Sequence, residues 1–171
     1  MSLARSLMPE FEMEIANTRK MLELVPDEKL GWKPHEKSME LGRLAWHVSD
    51  FPGWCRDVLT KPGMSISAEE AEQHRGVWKG KTRAEILARF DKDFALAKAA
   101  LESSGDEDWM IHWKMEWMGQ TVVNEPRRAI YRGMVMNHMI HHRAQLGVYL
   151  RLLNIPIPGL YGPSADEMPG A

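Results

Sequence analysis

Asn137-His138-Met139-Ile140-His141-His142-Arg143-Ala144-Gln145 is the stretch on which the reading of this chain turns. It sits inside a helical pattern expected from about Glu125 to Leu153. Helix residues four apart share a face, with Cβ atoms about 5–6 Å apart, so His138 and His142 can aim two imidazoles at one point. Val135, Met139, Leu146, Tyr149 and Leu153 line the same face, which therefore borders a core. An unsatisfied polar ring is costly there. A divalent transition metal takes imidazole nitrogen at roughly 2.0–2.1 Å, and an acceptor behind each ring would satisfy the second nitrogen. With seven histidines in 171 residues, the spacing alone also suits a solvated or internally bonded pair. Two histidines do not close a site. His47, in Leu44-Ala45-Trp46-His47-Val48, is the best third candidate. His141 lies about 100° round the helix, in phase with Met134, Val148 and Leu152. It is the alternative to His142 as an i,i+3 partner of His138.

Working outward, His47 belongs to a second helix that Ser38 is expected to cap. Leu41, Leu44, Val48 and Phe51 give that helix its apolar stripe, with His47 at the edge. Pro52 lacks the amide that would bond to the Val48 carbonyl, so a kink or short break is expected one turn after His47. Cys55 lies eight residues past His47, about 12 Å along a continuous helix. That is too far to share a metal, and it reads as a small core residue.

The first helix is expected to start near Pro9, to bury Phe11, Ile15, Thr18, Leu22 and Val25, and to end at Pro26. Pro26 to Pro34 is a breaker-rich connector. Lys61 to Lys81 reads as irregular, with a short helical turn over Ala68 to His74 and His74 exposed. A third helix opens with a capping box, Thr82-Arg83-Ala84-Glu85. It turns Ile86, Phe90, Phe94, Ala97 and Leu101 inward and stops at Gly105. From Trp109 to Trp117 the apolar period changes to two, which favours a strand. Gly119-Gln120 is expected to turn it into Thr121-Val122-Val123. His112 falls on its polar side. Asn124 or Glu125 then opens the fourth helix, with Pro126 in its first turn. The apolar tail after Pro156 is expected to pack back on the core. The pattern predicts an all-α fold, an up-down four-helix bundle with a small β-hairpin between helices 3 and 4, as one domain spanning 1–171.

Composition narrows the function classes. A net charge of −2 gives no electrostatic ground for nucleic-acid binding. No apolar run approaches membrane-spanning length, and the first residues lack a signal-peptide apolar region. One cysteine excludes an internal disulfide and suits a reducing, cytoplasmic setting. Thirteen Met and seven Trp are many for this length and read mainly as core filler.

Leu44-Ala45-Trp46-His47-Val48-Ser49-Asp50, His138-Met139-Ile140-His141-His142-Arg143-Ala144-Gln145-Leu146 and the tail Leu153 to Ser164 together resemble the DinB-like family, also called DinB/YfiT-like. The resemblance in architecture covers nearly the whole chain. It implies that His47, His138 and His142 are the three ligands of one nickel or zinc ion with a position left open. It implies a small-molecule substrate, with thiol-dependent transferases and isomerases among the relatives and low-molecular-weight thiols as co-substrates, and it makes a homodimer an expectation. Ala144 stands where the commoner form has Gly, and this leaves the ligands intact.

A catalytic three-histidine site keeps its fourth position for water or substrate. A thiol activated there would give S-transfer, and an activated water would give hydrolysis. The residues themselves leave both open, and the resemblance favours the thiol transferase over the hydrolase. A non-catalytic, metal-stabilised interaction module is the third reading. No general base stands out. His141 and Arg143 are the candidates for proton shuttling and anion holding, each with an equally good structural role. Asp50, one turn past His47, is a candidate support for that ring.

Overall fold

The computed structural model describes residues 2–168. It is mostly helical with a small three-stranded sheet, in the order α1 (Leu3–Glu23), α2 (Leu41–Thr60), β1 (Gly63–Ile66), α3 (Ala68–Gly76), α4 (Arg83–Ser103), β2 (His112–Trp117), β3 (Gln120–Pro126), α5 (Arg127–Ile130), a π-helical segment (Tyr131–Asn137) and α6 (His138–Leu152). Helix α2 packs along α4, α1 along α4 and α6, and α6 against α2. Their shared core holds Phe11, Leu22, Leu44, Phe51, Phe90 and Leu146, all fully buried.

The helix stripes fall inward as the spacing requires, while several boundaries move. Helix α1 begins at Leu3, not near Pro9, because Ser2 accepts the Arg5 amide as a cap. Pro9 therefore lies inside the helix. Helix α2 begins at Leu41 after Glu40, with no capping role for Ser38, and it runs through Pro52 to Thr60 without a break. Burial of Phe51, Pro52, Gly53 and Cys55 offsets the missing hydrogen bond. The Thr82–Glu85 capping box forms as expected.

Lys61 to Lys81 is more ordered than its breakers suggest. Gly63 to Ile66 pairs in parallel with Lys114 to Trp117, and α3 has its own capping box from Ser67 and Glu70. The β2–β3 hairpin turns at Met118 and Gly119, one residue earlier than expected, both at positive φ (51° and 79°). That conformation matches the strand twist of a tight hairpin. Alternation along β2 buries Trp113 and Met115 and exposes His112 and Lys114. Strand β3 extends to Pro126, so the last helical run opens at Arg127 rather than Asn124 or Glu125. The tail folds back, with Arg151 pairing to Asp166 at 2.7 Å and the Leu160 carbonyl accepting from Asn17.

Gly42 marks a tight approach that positions the region over α2. A Cβ there would stand 2.3 Å from a ring carbon of buried Trp78. Gly42→Ala must push the indole away and is expected to cost about 1–3 kcal/mol by overpacking, read as a lower urea midpoint.

Candidate metal centre

His47 reaches the centre from α2, and His138 and His142 reach it from successive turns of α6. The ring centroids lie 4.7–5.2 Å apart, and one ligating nitrogen from each ring lies within 4.8 Å of the others. Nitrogens at roughly 2.0–2.1 Å from one tetrahedral ion stand about 3.4 Å apart. The described residues thus bring together a triad that could hold a metal ion. All three rings are half-buried.

The surroundings fix both protonation and orientation. Phe51 lies 5.1 Å from the His47 ring and 4.9 Å from that of His138, and Trp54 lies 5.7 Å from each. Burial against this apolar wall disfavours a charged imidazole. It lowers the pKa of His138, with neighbouring His47 adding to the effect. It lowers that of His142 to about 4, against a hydrogen bond donated to Gln145 that works the other way. Both rings are therefore held neutral at physiological pH, the form that ligates a metal.

Gln145 sets the tautomer of His142. Its Oε1 lies 2.7 Å from His142 Nδ1 and accepts that N–H, which leaves the Nε2 lone pair facing inward. The Met134 carbonyl accepts from the His138 ring. His138 Nε2 faces His142, so the donor to Met134 is Nδ1. The two Nε2 atoms then converge at 2.9 Å, lone pair against lone pair. That arrangement is repulsive unless a proton or a cation lies between them, so the donor set fits a metal. Gln145→Ala is expected to weaken metal binding about 10–100-fold, read by competition with a coloured chelator.

Gln145 is the functional residue that spacing analysis passes over. Its i,i+3 position from His142 is the signal that could have found it. The Gln145 amide N–H donates to His141 Nε2 at 3.0 Å, which ties His141 on the exposed side rather than in the triad. Arg143 is drawn away altogether. Its guanidinium is buried against Glu14 at 2.6 Å, donates to the Glu14 carbonyl and Thr18 Oγ1, and meets the Tyr161 hydroxyl. Its partner is in α1, so it braces helices and tail. Asp50 is buried 3.8 Å from His47 Nδ1, beyond hydrogen-bond range, and forms an ion pair with Arg89 without a well-aligned hydrogen bond. Arg89 in turn lies over the Trp46 ring, 4.4 Å from its centroid. His74 is exposed and His112 lies on the outer face of the sheet, near Asn124. Cys55 is fully buried, and burial raises its thiol pKa far above the usual range.

Beside His47 and His142 opens a cavity of about 300 Å³, walled by Trp46, Trp54, Met115 and Trp117. Substrate-sized space therefore adjoins two of the three rings.

The sequence model of the DinB family matches residues 1–169. The chain belongs to the DinB family. Among its relatives by sequence is the uncharacterised protein YrdA of Bacillus subtilis (strain 168), 26% identical over 157 residues, covering 92% of this chain and 87% of that one. Two solved DinB-like structures share the fold. One is from Bacillus cereus ATCC 10987, with a TM-score of 0.67 at 22% identity, covering 92% of this chain and 97% of that one. The other is YjoA of Bacillus subtilis, with a TM-score of 0.66 at 18% identity, covering 91% and 97%. Among the described residues of this DinB chain, no helix is long and apolar enough to cross a membrane.

Proposed function

We propose that this DinB-family chain is a cytoplasmic metal-dependent enzyme that transfers a small cellular thiol to an electrophilic substrate. In this reading a single-domain four-helix bundle carries the site, and His47, His138 and His142 hold one nickel or zinc ion. The observation that carries the proposal is the convergence of the three imidazoles beside a cavity that His47 and His142 line and whose only lining carboxylate among the described residues, Asp50, is already paired with Arg89.

When bound, such an ion supplies Lewis-acid chemistry and lowers the pKa of a thiol or water that reaches it. The chain's own groups do the rest. Phe51 and Trp54 exclude water from one side of the rings. Gln145 holds His142 with its Nε2 lone pair inward, and Met134 does the same for His138. A thiol starts near pKa 8.5 and loses its proton to solvent without a dedicated base. The thiolate sulfur then forms a bond to the electrophilic carbon, and the leaving group departs with the bonding pair. Water needs more help, and the described cavity offers no free carboxylate to give it. This favours S-transfer over hydrolysis.

The test is turnover by zinc- or nickel-loaded protein with a panel of low-molecular-weight thiols and an alkylating electrophile. Thioether product is followed by mass spectrometry. Metal-dependent thioether formation above the uncatalysed rate is expected. Metal-dependent ester cleavage with no thiol requirement would replace the transferase reading with the hydrolase.

A further inference from the structure

The cavity has a second polar end, which the metal reading does not use. Arg43 lies on α2 one turn before His47, so both side chains leave the same helix face, and both line the cavity. Arg43 is only partly exposed, yet among the described residues its guanidinium makes no ion pair and no side-chain hydrogen bond. Every other arginine lining or bordering the cavity is engaged. Arg75, on α3, pairs with Glu72 at 3.0 Å in an exposed setting, and Arg89 takes the charge of Asp50. The cavity therefore carries one uncompensated positive charge. The apolar surfaces of Trp46, Trp54 and Trp117 line the same cavity.

We infer that the cavity binds a small carboxylate with a flat apolar body, its anionic head on Arg43 and its body between the tryptophans, pointing toward His47 and His142. Three features select this class. A guanidinium presents a planar fork that matches a carboxylate in two parallel hydrogen bonds. One unpaired cation balances one negative charge, where a phosphate dianion asks for two. A volume of about 300 Å³ is at the small end for ligand pockets and suits a body of one or two rings. The inference rests on the proposed function for what happens at the histidine end, but the recognition end stands on Arg43 and the tryptophans alone.

The experiment is a binding titration of 2-naphthoate to the full chain stripped of metal, followed by quenching of tryptophan fluorescence, with neutral 2-naphthamide as the comparison. Naphthoate is expected to bind at least tenfold tighter than the amide. Arg43→Gln is expected to remove that tenfold advantage while leaving naphthamide affinity unchanged, and Arg43→Lys to restore part of it. Arg75→Gln should change naphthoate binding by less than threefold. His138→Ala, at a ring that does not line the cavity, should retain naphthoate binding, so loss of the metal site and loss of the anion site are read separately. Equal binding of naphthoate and naphthamide, or an Arg43→Gln variant that keeps the preference, would overturn the inference. Tighter binding of 2-naphthyl phosphate than of naphthoate would overturn the carboxylate assignment.

Discussion

His142→Ala is expected to purify without metal, while the unchanged chain, prepared without chelator or histidine tag, carries about one equivalent of nickel or zinc. Removing one of three protein ligands costs more than removing a hydrogen-bond partner behind a ligand, which typically gives 10–100-fold. A loss of at least 100-fold, about 3 kcal/mol, is therefore the expected minimum. His47→Ala and His138→Ala should match it, because each ring offers one of the three converging nitrogens. His141→Ala should retain the metal, since that ring is exposed and held only through Gln145. Elemental analysis of the four variants, beside their circular dichroism, separates lost ligation from lost fold. Equal metal content in the chain and in His142→Ala would remove the triad as the site and put the non-catalytic interaction module ahead of the enzyme readings.

Arg143→Ala should leave ligation alone and strike stability instead. The Arg143 and Glu14 side chains are only 2% and 3% exposed, at the junction of α1, α6 and the tail. Truncating the guanidinium removes three hydrogen bonds besides the ion pair and strands a carboxylate in the core with only the Tyr161 hydroxyl as donor. Breaking a buried pair from one side costs about 3–5 kcal/mol, a large share of the roughly 5–15 kcal/mol available to a domain. The urea midpoint should fall accordingly. Replacing both partners, as Glu14→Leu with Arg143→Met, should recover most of the loss, because no lone buried charge then remains. A single variant as stable as the unchanged chain would mean that water reaches Glu14 and the network is not sealed.

The contrast between these two residues shows what was legible in the sequence. His138 and His142 are related by local helix geometry, and spacing alone puts them on one face. The apolar stripes of α1, α2 and α4, the Thr82 capping box and the hairpin were legible for the same reason, since each depends on neighbours within a few positions. Arg143 is one residue from His142, yet its partner is 129 positions away in α1, and no local rule reveals it. The parallel pairing of β1 with β2 joins residues some fifty positions apart and was likewise hidden behind the breakers of Lys61 to Lys81. Pro9 and Pro126 misled because proline marks a first helical turn so well. Here the cap from Ser2 comes earlier, and at Pro126 the strand β3 is still in progress. Gln145 was in view but silent, because its role depends on which ring nitrogen His142 turns inward.

The π-helical segment Tyr131–Asn137 also has a consequence for how this chain tolerates change in length. Each residue of an α-helix advances the side chains by roughly 100°. Counted at that pitch, the buried residues ahead of the segment, Arg127, Ile130 and Tyr131, and those beyond it, Met139, Arg143, Leu146 and Leu150, would fall on different sides of the rod. The wider π turn absorbs about one residue's worth of rotation and brings both sets to the same side. It acts as a phase adjuster between the sheet-bearing end of the molecule and the histidine-bearing end. Deleting one residue there, for example Gly133, whose surroundings are open, would tighten the turn to ordinary pitch. The residue removed and the rotation regained cancel at roughly 100° each, so both ends of the rod would keep their relative rotation, whereas the same deletion in an α-helical stretch would turn one end against the other.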